Sequence, residues 1–236
     1  MPVLLMIELS LVMPAYNEQA CIEQVVRSWL AELAPRLRSL ELIVVDDGSR
    51  DSTGAVLDRL ASRESTLRVI HQANAGHGAA LRRALEVAQG QWIFHVDSDD
   101  QFAPGDFWKL WEIREGYDYL CGRRVGRQDP CHRRVISRLL ELLVRLWFGV
   151  RLADANSPFK LIRRPALEQL LELVPRTVFA PSIMMSVAAR RRWRFAEIPV
   201  AHFARRTGRI SIVRLGLLRA CWRCVGELRA FRAVLP

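Results

Sequence analysis

The stretch FHVDSDDQF, residues 94–102, sets Asp97, Asp99 and Asp100 behind an apolar run in a chain whose formal net charge is +10. Asp97-Ser98-Asp99 is a D-x-D, with the turn formers Ser98 and Asp100 beside it. Hard divalent cations take oxygen ligands, and Mg²⁺ holds one or two protein carboxylates while sharing substrate phosphates. A D-x-D in a basic protein therefore fits a metal-bridged diphosphate; alone, it fits a solvated turn as well. Two further polar clusters follow apolar runs, Tyr16-Asn17-Glu18 after LSLVMPA and Asp46-Asp47 within LELIVVDDGS. Taken alone, VVDDGSRDST reads as a strand, a turn and a helix cap.

The elements that must position these clusters alternate along the chain. Strand patterns cover 9–14, 40–47, 67–72 and 91–99, and helix patterns cover 18–34, 51–63 and 78–88. Such alternation gives an α/β fold with a mostly parallel central sheet and helices on both faces. In these sheets ligands bind beyond the carboxyl ends of the strands, the edge on which all three polar clusters fall. NAGHGAALRRAL (74–85) follows the third strand and lacks the third glycine of a dinucleotide fingerprint, so it reads as a helix start or a close backbone approach. YDYLCGRRVG (117–126) returns one more strand to the sheet.

With 236 residues, half of them hydrophobic, the chain can bury a full core, which excludes a disordered or fibrous protein. Lys109 and Lys160 are its only lysines, so the positive charge is almost wholly arginine, the side chain suited to bidentate recognition of phosphate. Phosphorylated ligands, nucleic acid and anionic membrane surfaces are the partners such a charge admits. Five cysteines form no paired framework, and CWRC (221–224) lacks a second ligand pair for zinc. The longest uncharged run, Thr177 to Ala189, has 13 residues and contains Pro181, short of the ~20 that span a bilayer. With no signal-peptide pattern at the N-terminus, the expected location is the cytoplasm, with reduced thiols.

LVMPAYNE, IVVDDGSRDST, NAGHGAALRRAL and HVDSDDQFAPGD occur in the order and spacing of family 2 glycosyltransferases, and the chain resembles that family, with its GT-A fold. Residues 122–150, 154–164 (DANSPFKLIRR) and 196–211 resemble the dolichyl- or polyprenyl-phosphate sugar transferase branch. The resemblance implies a glycosyltransferase domain over 1–211, with a nucleotide-binding half at about 9–104 and an acceptor-binding half at about 105–211. Residues 212–236 would form a C-terminal amphipathic helix. It implies that Pro14, Tyr16, Glu18 and one or both of Asp46 and Asp47 hold the nucleotide. Asp97, Asp99 and Gln101 would hold Mg²⁺ or Mn²⁺ on the donor diphosphate. Arg123, Arg133 and Arg138 fall where the family holds the acceptor phosphate, and Arg205, in an R-x-x-G before Gly208, would close over the donor. Ser211 stands one position later than the family's G-x-S, and FAPSIMM (179–185) lacks an acidic residue often found there.

The implied reaction is inverting transfer of a hexose from a nucleotide sugar, of the GDP-mannose or UDP-glucose class, to a polyprenyl phosphate. A lipid phosphate is ionised near neutral pH and needs no general base, whereas a hydroxyl acceptor does. For the hydroxyl alternative, Asp100 or Asp154 is the candidate base. Arg134, Arg138, Glu141 and Arg145 form one helical stripe with leucines and aromatics around the rest, the pattern of a core helix or of one lying in a membrane interface. Residues 212–235 invite the same two readings, and peripheral attachment to the cytoplasmic face of a membrane is expected. A basic nucleic-acid-binding module is the third alternative, without a recognised motif to support it, and no nucleic-acid partner is expected.

Overall fold

The computed structural model describes residues 7–126, 131–205 and 214–235; side chains at 131–135, 214–218 and 220 are outside that description. Among the described residues, seven strands form one sheet: β1 (Leu9–Ala15), β2 (Leu40–Asp46), β3 (Leu67–His71), β4 (Trp92–His95), β5 (Tyr119–Val125), β6 (Lys160–Arg163) and β7 (Phe195–Ala201). Their order is β3-β2-β1-β4-β6-β5-β7. β6 runs antiparallel to both its neighbours, β4 and β5, and every other pairing is parallel. The expected mostly parallel sheet is present, with one reversed strand in it.

Strand periodicity divides the core in two, because alternate side chains leave opposite faces. Leu11, Met13, Leu42 and Val44 point to one side, where α1 (Ile22–Leu33), α2 (Thr53–Ala61) and α4 (Phe107–Trp111) bury Val25, Trp29, Leu57 and Phe107. Val12, Ile43 and Val45 point to the other, covered by α3 (His77–Val87), α6 (Arg164–Leu173) and α7 (Pro181–Arg192). α5 (Cys131–Phe148) and α8 (Arg214–Val234) join that second core through Val144, Phe148, Leu228 and Phe231. The C-terminal helix therefore seats one face on the domain. Among the described residues, no helix is long and apolar enough to cross a membrane.

Phe94, fully buried in β4, touches the rings of Trp29, Phe107 and Phe159 at centroid distances of 5.4, 5.0 and 4.7 Å. Aromatic pairs of this kind add about 0.5–1.5 kcal/mol each beyond area burial. They clamp the strand that leads into the D-x-D. The sequence pattern extends that strand to residue 99, but regular pairing ends at His95. Val96 still donates to Val12 O, and then Ser98 Oγ donates to Pro14 O at 2.9 Å, replacing the ladder with a side-chain bond. Asp100 completes the turn at φ 57°, a left-handed conformation that Asp tolerates better than most residues.

Gly78, in the first turn of α3, lies under a neighbouring loop. A Cβ there would stand 2.2 Å from Val178 O and 3.0 Å from Pro181 Cδ. Alanine normally favours a helix over glycine by about 1 kcal/mol, but here overpacking against backbone dominates. Gly78→Ala is expected to lower stability by about 1–3 kcal/mol, read as a lower urea midpoint with an unchanged slope; a stabilised variant would mean that α3 is not packed this closely.

Candidate active site

β1 leads through α1 to β2 on one side of it, while β4 lies on its other side, so the strand order reverses between β1 and β4. A crevice opens at such a reversal, beyond the carboxyl ends of the two strands. Tyr16-Asn17-Glu18 leaves the end of β1 and Asp97-Ser98-Asp99 leaves the end of β4. The Ser98–Pro14 bond fastens the two segments together.

Glu18 is 7 % exposed; its backbone N donates to Thr53 Oγ1 at 2.8 Å, and its carboxylate accepts from Arg205 Nη2 and from Cys21 Sγ. Burial raises the Glu18 pKa, against the opposing pull of Arg205. Asp99 shares the field of this pair. Burial, then the charge of Asp97, pushes Asp99 up to about 7, although Arg205 favours its ionised form. For Asp97, burial works the same way but is outweighed by the charge of His77 and by His95, and its pKa falls to about 2. His95, shut off from water, is pushed down to about 4 and is neutral at pH 7. The D-x-D thus holds one firm negative charge and one carboxyl balanced near neutrality.

Asp97 Oδ1 and Asp99 Oδ1 are buried, and neither has a hydrogen-bond partner among the described residues. Sealed carboxylate oxygens without donors are costly unless a cation meets them. The donor set therefore fits a divalent metal, with Asp97 and Asp99 as ligands. Gln101 makes a different contact: its Nε2 donates to Phe203 O at 2.9 Å, while Phe203 N donates to Gln101 O. A metal role for Gln101 would fall to its Oε1.

The paired acids after β2 are engaged in building loops. Asp47, 2 % exposed, accepts from Gln72 Nε2, Ala75 N and Gly76 N at 2.7–2.9 Å and so shapes the loop after β3. Asp46 accepts from Ser49 N at 3.1 Å and pairs with His71 Nδ1 at 2.9 Å. Gly48 sits between these contacts at φ 67°, where a Cβ would lie 2.7 Å from Asn74 N. Asn17, also left-handed at φ 55°, accepts from Arg50 N and ties the loop after β1 to the loop after β2. Pro14 contributes its carbonyl to Ser98, and Tyr16 is half-buried beside it.

The structure brings Glu18, Arg205, Asp97 and Asp99 together, with Asp46 and Asp47 at the neighbouring strand end. Arg123 is exposed on β5 and Arg138 is exposed on α5, and no hydrogen bond or ion pair among the described residues joins either to the acidic cluster. The side chain of Arg133, together with Gly208 and Ser211, lies outside the described residues. Arg124, His77, His95 and Lys160 belong to the site's surroundings and were not singled out by the motifs. Arg124 holds Asp154 bidentately at 2.7 and 2.8 Å, in a pair that is almost wholly buried. Lys160 is fully buried and its Nζ donates to the carbonyls of Ala155 and Ser157. Two surface hollows, one lined by Arg82, Glu86 and Arg176 and one by Gln19, Glu23 and Arg27, lie apart from the D-x-D, which is distinguished by chemistry rather than by volume.

The model of the glycosyl transferase family 2 matches residues 10–171, which run from within β1 into α6 and include Glu18, Asp46, Asp47 and the D-x-D. The chain belongs to this family. As a family 2 glycosyltransferase it is 34 % identical over 212 residues to the undecaprenyl-phosphate 4-deoxy-4-formamido-L-arabinose transferase of Pseudomonas aeruginosa, covering 89 % of this chain and 61 % of that one. It is 30 % identical over 214 residues to the transferase of the same name from Salmonella dublin, covering 88 % and 64 %. The chain thus spans a little under two thirds of the length of these relatives. Mycobacterium tuberculosis glucosyl-3-phosphoglycerate synthase has the same fold, with a TM-score of 0.72 at 22 % identity, covering 96 % of this chain and 81 % of that one. S. aureus TarS follows it with a TM-score of 0.61 at 24 % identity, covering 83 % and 59 %.

The raised pKa of Asp99 has a stability consequence with a definite sign. The unfolded carboxyl ionises near 3.8 and the folded one near 7, so between these values the folded state binds more protons and stability falls as pH rises. Without divalent cations, Asp99→Asn is expected to be more stable than the parent at pH 8 by on the order of 1–3 kcal/mol. The gap should close towards pH 4. Urea unfolding in chelator at both pH values measures it, and a gap independent of pH would place Asp99 in water.

Proposed function

We propose that this glycosyltransferase moves a hexose from a nucleotide-sugar donor to a polyprenyl phosphate at a membrane surface, with inversion at the anomeric carbon. The observation that carries the reading is the pair of sealed carboxylate oxygens in the D-x-D, set beside the Glu18–Arg205 ion pair at the strand-order reversal. A diphosphate donor needs its negative charge offset there. Support for the acceptor comes from the P. aeruginosa relative, whose name couples undecaprenyl phosphate to an arabinose, a pentose; support for a hexose on a nucleotide comes from the mycobacterial fold neighbour, whose structure is described with Mn²⁺, uridine diphosphate and glucosyl-3-phosphoglycerate.

In this reading Asp97 and Asp99, with Gln101, hold a divalent cation, Mg²⁺ or Mn²⁺, that when bound offsets charge on the departing diphosphate. Pro14, Tyr16 and the loops shaped by Asp46 and Asp47 form the walls around the nucleotide. Arg205 ties the segment after β7 to Glu18, closing the crevice over the donor. Arg123, Arg133 and Arg138 receive the acceptor phosphate, whose ionised oxygen attacks the anomeric carbon without a base. The hydroxyl-acceptor alternative loses one of its two candidate bases, since Asp154 is clamped by Arg124.

The surface of α5 supports a membrane-bound acceptor. Leu139, Leu142 and Leu146 are 61, 50 and 71 % exposed in an i, i+3, i+7 stripe, beside exposed Arg138 and Arg145, while Val144 and Phe148 face the core. One helix face packs and the other offers leucine and arginine, the composition that lies in a headgroup region. In this reading the enzyme works at the cytoplasmic face. A leucine buried fully is worth about 1.5–3 kcal/mol, so Leu142→Glu with Leu146→Glu should lower binding to anionic vesicles at least about tenfold in a flotation assay. Undiminished flotation would move the membrane contact elsewhere.

The test of function is a transfer assay with purified protein, Mg²⁺ or Mn²⁺, radiolabelled UDP- and GDP-sugars and a short-chain polyprenyl phosphate. Cation-dependent label in the lipid fraction, reduced at least about 100-fold in Asp99→Ala, is the expected result. Donor binding without label in the lipid would transfer the lead to a hydroxyl acceptor.

A further inference from the structure

On the α3 side of the D-x-D, two histidines converge on one carboxylate oxygen. His77 opens α3 with its Nε2 3.8 Å from Asp97 Oδ1, and His95 closes β4 with its Nε2 3.6 Å from the same atom. All three atoms lie within 4.8 Å of one another. Neither histidine is close enough for a hydrogen bond to that oxygen. His95 is 2 % exposed, and neither its Nε2 nor Asp97 Oδ1 has a hydrogen-bond partner among the described residues. A buried imidazole nitrogen facing a buried carboxylate oxygen across a gap slightly too wide for a proton is relieved by a cation between them.

The dimensions agree with that. Around a tetrahedral ion bound at about 2.0–2.1 Å, ligand atoms stand about 3.4 Å apart, so a contraction of a few tenths of an ångström closes the two His–Asp97 separations onto a metal, and the two histidines, within 4.8 Å of each other, close by rotation of the half-exposed His77 side chain. The ligands sit on rigid parts of the fold. β4 is paired on both sides, with His95 opposite Val12 and Lys160, and His77 precedes the tightly packed Gly78. Lys160 donates to the carbonyls of Ala155 and Ser157. Imidazole suits the borderline transition ions, whereas Mg²⁺ prefers an all-oxygen shell.

We propose that His77 Nε2, His95 Nε2 and Asp97 Oδ1 ligate one divalent transition ion, of the Zn²⁺ or Co²⁺ class, in preference to Mg²⁺. The inference rests on the D-x-D reading above for what the open coordination positions face, the donor diphosphate. It makes the histidines, rather than Asp99, the residues that select the metal.

The test uses the chelator-treated full chain without sugar nucleotide or lipid, titrated with Co²⁺ and with Mg²⁺ by calorimetry and by the visible absorption of bound Co²⁺. Co²⁺ is expected to bind at least about tenfold more tightly than Mg²⁺, with a nitrogen-ligated spectrum. His77→Ala, at a side chain 52 % exposed and so harmless to folding, is expected to lose about tenfold or more of the Co²⁺ affinity while leaving Mg²⁺ unchanged. His95→Gln, checked for its fold by circular dichroism, should behave likewise. Co²⁺ affinity and spectrum unchanged in His77→Ala, or equal affinity for the two ions, overturns the inference. Co²⁺ binding that needs Asp99 but not His77 overturns it and leaves the D-x-D reading standing; no binding of either ion overturns both.

Discussion

Asp97 and Asp99 stand one residue apart at the end of β4, each half-buried with one oxygen sealed from water, and Glu18 adds a buried carboxylate to the same crevice. Like charges this close, and this poorly hydrated, repel one another more than an exposed cluster would. Much of the surrounding structure is a response to that repulsion. Arg205 reaches across from the segment after β7 to Glu18, and Asp99 stays close to neutral while Asp97 keeps its charge. The aromatic cluster around Phe94 holds the strand end in place against the repulsion. Carboxylate oxygens sealed in this way fit a divalent cation.

The arginines divide into two populations. Arg124 is locked to Asp154, whereas Arg123, Arg138 and Arg145 extend into solvent. Only the second kind can meet a phosphate from outside, because releasing a buried guanidinium leaves its carboxylate without a partner. α5 carries both exposed arginine and exposed leucine on the side away from the core. α8, whose arginines are spread around it, uses Leu228 and Phe231 to seat itself on the domain.

Period and punctuation made the first half of the fold legible in the sequence. β1 to β4 and α1 to α3 lie where apolar alternation and helical spacing put them, with ends shifted by a few residues. The shifts have local causes: Ser98 turns its hydroxyl to Pro14 and ends β4 early, and the residues after Glu18 make a turn before α1 begins. The D-x-D, Glu18 and Arg205 were visible as motifs because their types and spacing are unusual in a basic chain. The partners of Asp97 were not, since a histidine inside a strand and another at a helix start carry no spacing signal. They meet only when β4 and α3 are folded together. The loop-building work of Asp46 and Asp47 was hidden for the same reason, as apart from Ser49 N their side-chain partners come from residues 25 to 29 positions later.

The reversed strand β6 changes where chemistry can be sought along the chain. For strands running the common way, residues that reach the crevice follow the strand, as Glu18 follows β1 and Asp99 follows β4. β6 enters from that edge instead, with Lys160 opposite His95. The segment preceding it, Asp154 to Phe159, therefore lies at the crevice edge, and the residues after it leave for the far end of the sheet. Insertions just before β6 would therefore remodel the crevice edge, whereas insertions in the short connection from β6 to α6 would fall at the far end of the sheet.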